Sequence, residues 1–117
     1  MNGVRGIGVD IVSVKRISNL LELYGERFLL RVFTEREILY AKSKNSYVQT
    51  LAGKFAAKES VIKLSGKFIP FQKIEILNND KGIPCVVGND NIMISISHER
   101  EFAVAVAVEV KDENSTC

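Results

Sequence analysis

The stretch Lys54–Phe55–Ala56–Ala57–Lys58–Glu59–Ser60–Val61–Ile62–Lys63 lies inside the longest helical pattern of the chain, Tyr47 to Ser65. Val48, Leu51, Phe55 and Ile62 follow steps of three, four and seven, and so form one apolar stripe. Continuing that stripe calls for an apolar side chain at 58 or 59, yet both positions are charged, Lys58 and Glu59. A charge on a core-facing stripe is costly unless it is paired or binds a cation. Lys63 falls one turn after Glu59, within its reach. The helix therefore carries an acid and a base near its buried side, which points to a site. The plainer alternative is a Glu59–Lys63 surface pair with Lys58 snorkelling; such pairs are common and weak.

A chain of 117 residues suits one domain, with roughly two-thirds of its unfolded surface buried on folding. Hydrophobic residues at 46% and charged residues at 26% fit a soluble globular chain. A net charge of +2 is too small to point to nucleic acid. Cys85 sits in a strand pattern and Cys117 is the last residue. Without CxxC or Cys/His ligand spacing, neither zinc nor a disulfide framework is supported. No apolar run approaches membrane-spanning length, so no membrane partner is expected. Residues 1–8 lack the basic-then-apolar layout of a signal peptide, and the expectation is a reducing cytoplasm.

Val4 to Val12 reads as a first strand, with Asp10 inside its apolar end. Aspartate is unfavourable in strands. It is either a cap or turn residue before the next helix, or a functional side chain. Ser13 is the better cap, because it immediately precedes the helical pattern Val14–Tyr24, which Gly25 ends. Lys15, Arg16, Arg27, Arg31 and Arg36 then interleave with Phe28 and Phe33, nearly balanced by Glu22, Glu26, Glu35 and Glu37. This is either a solvated mixed-charge surface or a docking face for an acidic partner, with arginines steering and a phenylalanine anchoring. Thr34 with Glu37, and Ser46 with Gln49, carry capping-box spacing ahead of a short helix, Thr34–Ala41, and the central helix.

In the second half, strands are expected over Phe71–Leu77, Ile83–Val87, Ile92–Ser97 and Phe102–Val110. The last has Phe and Val on one face and three alanines on the other, which invites close approach by a helix or another subunit. Ser65–Gly66–Lys67 is not a phosphate loop, since that pattern needs glycine at 61 and Ser or Thr at 68, where Val61 and Phe68 stand. His98, the only histidine, opens a polar turn at a strand end; it is either merely exposed or placed where ligands are met. The class is α+β: a single domain over 1–117, with an antiparallel-rich sheet packed with one long and two shorter helices. The tail, residues 111–117, is expected to be disordered.

Gly8–Val9–Asp10–Ile11, then Phe55–Ala56–Ala57–Lys58–Glu59–Ser60 with Lys63, then Ser97–His98 before an alanine-rich strand occur in this order. Together they resemble the holo-acyl-carrier-protein synthases, the small bacterial 4′-phosphopantetheinyl transferases. The resemblance spans nearly the whole chain. It implies that family's fold and a Mg²⁺-dependent transfer of phosphopantetheine from coenzyme A to a serine of apo-acyl carrier protein. Adenosine 3′,5′-bisphosphate is the other product, and fatty acid biosynthesis is the setting. It implies Asp10 and Glu59 as Mg²⁺ ligands, and Asp10, Glu59 and Lys63 as catalytic, with Glu59 first choice for the proton acceptor. Lys54, Lys58, Lys63 and His98 would bind coenzyme A, and Arg16, Leu20, Arg27, Phe28 and Arg31 would face the acidic carrier. It further implies a homotrimer with sites at subunit contacts, using the alanine face or its surroundings. Two alternatives remain open at this point. A non-enzymatic coenzyme A or nucleotide-binding module needs no second carboxylate and no Mg²⁺. A pure protein-interaction domain binds no coenzyme A at all.

Overall fold

The side chain of Ser13 accepts a hydrogen bond from the Arg16 amide at 3.2 Å, and this cap turns strand β1, Val4–Ser13, straight into helix α1, Val14–Tyr24. The cap is Ser13, so Asp10 remains a strand residue. The computed structural model describes residues 3–111. Helix α2, Glu26–Val32, follows with only Gly25 between, at φ 53° and ψ −127°, a conformation that favours glycine. This helix was not expected. Gly25 reads as a stop signal, and nothing in that signal says that the same residue also starts the next helix. The expected capping box opens helix α3, Glu35–Lys42: Thr34 N donates to Glu37 Oε1 at 2.8 Å, and Glu37 N to Thr34 Oγ1 at 3.3 Å. Ser46 does not repeat it. Its hydroxyl lies 3.4 Å from Thr50 Oγ1 instead, at the start of helix α4, Tyr47–Ser65.

Strands β2 (Ile76–Asn78), β3 (Pro84–Val86), β4 (Ile92–His98) and β5 (Phe102–Val110) complete one sheet in the order β1-β5-β4-β3-β2, antiparallel at every step. The strand expected at Phe71–Leu77 opens as a 3-10 turn over Phe71–Lys73 after Pro70, so only its end joins the ladder. The architecture is α+β as expected, with four α-helices among the described residues where three were expected.

Helix α4 crosses this sheet, and residues 51–58 are buried without interruption, not as a single stripe. Helices α1 and α3 cover it on other sides. A Cβ added to Gly53 would stand 2.8 Å from Ile96 Cγ2, which places Gly53 against β4. Ala103, Ala105 and Ala107 are completely buried on the helix side of β5. The alanine face is thus used inside the chain to seat α4, and it is not available to a second subunit. The opposite sheet face is the open one: Ile7, Val9, Ile11 and Met93 are each more than half exposed. A contiguous apolar patch of this kind marks an interaction surface.

Lys111 N donates to Gly3 O at 3.1 Å, so the chain is still tied down there. The rest of the tail expected to be disordered lies outside the described residues. Among the described residues no helix is long and apolar enough to cross a membrane.

Candidate active site

Alternation along β1 sends Gly8, Asp10 and Val12 toward α4, and Ile7, Val9 and Ile11 away from it. A Cβ on Gly8 would overlap the carbonyl oxygen of Ser60 and stand 3.0 Å from the Leu64 amide nitrogen. Only glycine lets the backbone of β1 lie directly on the backbone of α4. Two residues further on, this close seam brings Asp10 to Lys63. The Lys63 ammonium donates to Asp10 Oδ1 and to Val9 O, each at 3.1 Å. Helical spacing suggested Glu59 as its partner; the structure pairs it across the seam with Asp10.

Glu59 precedes Ser60, one turn before Lys63, and is half-buried. It makes no hydrogen bond or ion pair with any described residue. Two carboxylates against one ammonium leave the seam with a net negative charge. Magnesium takes one or two carboxylates, waters and phosphate oxygens, so this donor set fits it. Chemically, two carboxylates and an ammonium at one seam suit a phosphate-bearing ligand and its metal ion.

Lys58 is placed differently from the role expected of it. It fills the gap in the apolar stripe and is wholly enclosed, as is Glu37. Its ammonium donates to Glu37 Oε1 at 2.7 Å, Val32 O at 2.8 Å and Phe71 O at 3.0 Å. All three N–H groups are taken, leaving none for a phosphate oxygen. Burial pulls its pKa below the ordinary lysine value, with the Glu37 carboxylate pulling back.

Lys54 is also buried, donating to Ile76 O at 2.6 Å and Asn78 Oδ1 at 3.1 Å, with its ammonium 4.6 Å from the Tyr40 ring centroid. Burial lowers its pKa to about 8. Lys54 and the exposed His98 line one cleft of ≈300 Å³, so the structure brings these two expected residues together. The cleft adds Lys44, Ser46 and Thr50, which sequence reasoning missed. One signal was present: 46, 50 and 54 recur every four residues, on one helical face.

Leu20, Arg27, Phe28 and Arg31 also come together, around a second cleft of ≈410 Å³ between α1 and α2 that includes Tyr24. Phe28 does not project as an anchor. It is 9% exposed and meets Phe33 edge-on, with centroids 6.0 Å apart. Tyr24, about half exposed, supplies apolar surface at the cleft instead. Arg16 lies apart from this group, 5.6 Å over the Phe55 ring, on the α4 turn that precedes Glu59.

Residues 6–107 match the family model of the 4′-phosphopantetheinyl transferase superfamily. The chain is similar to a holo-[acyl-carrier-protein] synthase of Halothermothrix orenii, 44% identical with 90% of this chain and 96% of that protein covered. It is similar to one of Thermodesulfovibrio yellowstonii at 46% identity, covering 90% and 97%. Its fold superposes with a TM-score of 0.81 on a Bacillus anthracis holo-(acyl-carrier-protein) synthase solved in complex with CoA (3′,5′-ADP). That pair is 35% identical, with 93% of this chain and 98% of the other covered. The chain belongs to the 4′-phosphopantetheinyl transferase superfamily.

Because the seam positions Asp10, Gly8→Ala is expected to disturb the site at a distance from any charge. The strand must lift off α4, costing about 1–3 kcal/mol. A displacement near 1 Å lowers turnover by about a hundredfold. Urea unfolding and transfer rates measure the two effects separately. An unchanged rate would mean that this backbone contact does not set the site.

Proposed function

We propose that this protein is a holo-acyl-carrier-protein synthase, moving 4′-phosphopantetheine from coenzyme A to a serine of apo-acyl carrier protein. The observation that carries the reading is the contact of Lys63 with Asp10 at 3.1 Å, with unpartnered Glu59 one turn away. The serine oxygen forms a bond to one phosphorus of the coenzyme A pyrophosphate. The bond from that phosphorus to the bridging oxygen breaks, and adenosine 3′,5′-bisphosphate leaves with the electron pair. Asp10 and Glu59 would hold Mg²⁺, which when bound neutralises pyrophosphate charge. Glu59, which lacks a protein partner, accepts the serine proton, directly or through a water. Lys63 is exposed and keeps an N–H free for an oxygen of the leaving phosphate. The cleft of Lys54 and His98 takes the nucleotide end, with Lys54 acting from its buried position. For Lys58 we propose a structural role in place of phosphate binding.

The reading places the protein in the cytoplasm and in fatty acid biosynthesis, where coenzyme A and the carrier meet. It includes a homotrimer, formed through the open Ile7–Val9–Ile11 face of the sheet. Light scattering on a sizing column tests that assembly, and a fully active monomer would contradict it. The activity itself is tested by release of adenosine 3′,5′-bisphosphate from coenzyme A. Release should require both apo-carrier and Mg²⁺. Tight coenzyme A binding without release would favour a binding module.

Carrier docking makes its own prediction. Arg16, Arg27 and Arg31 are exposed and should steer an acidic partner. Arg16→Glu should raise the KM for apo-carrier by about tenfold or more while leaving the coenzyme A Kd from calorimetry unchanged. Loss of coenzyme A binding with an unchanged carrier KM would assign Arg16 to the nucleotide site.

A further inference from the structure

We propose that the enclosed Glu37–Lys58 pair is a positioning element, fixing the carrier-docking corner at the end of α2 against the α4 turn that carries Glu59. The inference rests on the reading of the α1–α2 cleft as the docking face.

The pair joins four segments, which also meet elsewhere: Thr34 and Arg36 bond the Glu75 carboxylate, and Gln72 donates to Phe33 O. Through Lys58 it holds Val32 O, the last carbonyl of α2, and Phe71 O of the 3-10 turn. Through Glu37 it holds Thr34 N at 2.8 Å and Ile76 N at 2.7 Å, the start of α3 and of β2. Every side-chain donor and acceptor buried here is satisfied. On the docking side the contact chain continues. The Lys58 ammonium lies 5.5 Å from the Phe33 ring centroid, and Phe33 meets Phe28, the floor of the docking cleft, edge-on. On the catalytic side the next residue is Glu59. Lys58 therefore stands between the surface proposed to receive the carrier and the carboxylate proposed to take its proton.

Stability alone does not account for this choice of residues. Apolar side chains of similar volume usually serve a buried site as well as an ion pair, or better. What an ion pair adds is direction: two Lys58 N–H groups and the two Glu37 carboxylate oxygens each fix one named backbone atom, and the third N–H joins the pair itself. The transfer needs the carrier serine and the pyrophosphate aligned within tenths of an ångström, and the rate is steep in that alignment. The pair fixes the relative placement of the two surfaces that must meet.

The test uses the double variant Lys58→Met/Glu37→Gln, which keeps volume and removes both charges. It is expected to fold, with far-UV circular dichroism unchanged and coenzyme A affinity by calorimetry within about twofold of wild type. Its KM for apo-carrier is expected to rise about tenfold, a smaller loss than a full 1 Å misplacement causes. A folded double variant with carrier KM and kcat both within about twofold of wild type overturns the proposal, leaving the pair a scaffold only. Equal losses in coenzyme A and carrier affinity overturn it as well, because the pair would then act on the whole site. If the double variant does not fold, Glu37→Gln alone reads the same split at smaller amplitude, and there too an unchanged carrier KM overturns the proposal. Arg31→Glu runs beside them as a control on the docking reading. If Arg31→Glu leaves the carrier KM unchanged, the docking face itself is misplaced. If it raises KM and the pair variants do not, the positioning role alone fails.

Discussion

Asp10→Ala and Glu59→Ala are each expected to lower the rate of transfer by about a hundredfold or more while leaving the fold intact. Asp10 lies at the strand–helix seam and Glu59 one turn before Lys63 on α4, and neither is needed to hold the seam. Asp10 pairs with Lys63, whose side chain is 54% exposed, so removing the carboxylate leaves a solvated ammonium and costs at most about 1 kcal/mol. Glu59 has no partner among the described residues to lose. The activity loss follows from charge. If Asp10 and Glu59 hold Mg²⁺ as proposed, losing either carboxylate removes the net negative charge that would retain the cation. Excess Mg²⁺ should recover part of the Asp10→Ala rate. It should recover less for Glu59→Ala, which also removes the proposed proton acceptor. Initial rates titrated with Mg²⁺, alongside thermal unfolding, measure both effects. A variant that keeps near-normal activity at limiting Mg²⁺ would remove that carboxylate from the metal reading.

The largest stability effect is expected at Lys58. Lys58→Ala should cost about 3–5 kcal/mol, because it strands the Glu37 carboxylate with no exposure and no counter-charge. The Val32 and Phe71 carbonyls lose their donor in the same step. Lys63→Ala offers the contrast. It also removes a lysine bonded to a carboxylate, but an exposed one, and should cost about 1 kcal/mol or less. Urea unfolding compares them directly. Equal, small losses would mean that the Glu37–Lys58 pair does not hold the corner between α2, α3 and β2.

The contrast also explains what was legible in the sequence. A gap at 58 or 59 in the stripe was a sound signal of something unusual, but the signal did not say which charge filled it. Lys58 fills it because Glu37 comes in from a capping box in another helix. The spacing Thr34–Glu37 announces the cap, not the second use of the same carboxylate. Ser13, Gly25 and Thr34 were readable because caps are local: a side chain or backbone amide bonding within four residues. Helix α2 was not, since Gly25 serves both as the end of one helix and the start of the next.

Gly-x-Asp became intelligible only with α4 in place. Gly8 looks like a weak point in a strand until Ser60 O is found against it. The alanine stripe of β5 was read correctly as a place of close approach. The sequence left open what approaches, and the answer is α4. Small residues on both sides of that contact carry no hydrophobic signal, so a stripe search sees only part of a helix that is buried all round. The cleft around Lys54 and His98 joins α4, β2 and β4, elements far apart in the chain. No local pattern announces such a meeting.

The most direct test weighs the carrier. Apo-acyl carrier protein is incubated with this protein, coenzyme A and Mg²⁺, and its mass is measured before and after. The account predicts a gain of one phosphopantetheine group on the carrier's serine. The gain should be absent when Mg²⁺ is chelated and absent when that serine is replaced. A carrier of unchanged mass in the presence of bound coenzyme A and Mg²⁺ would contradict it.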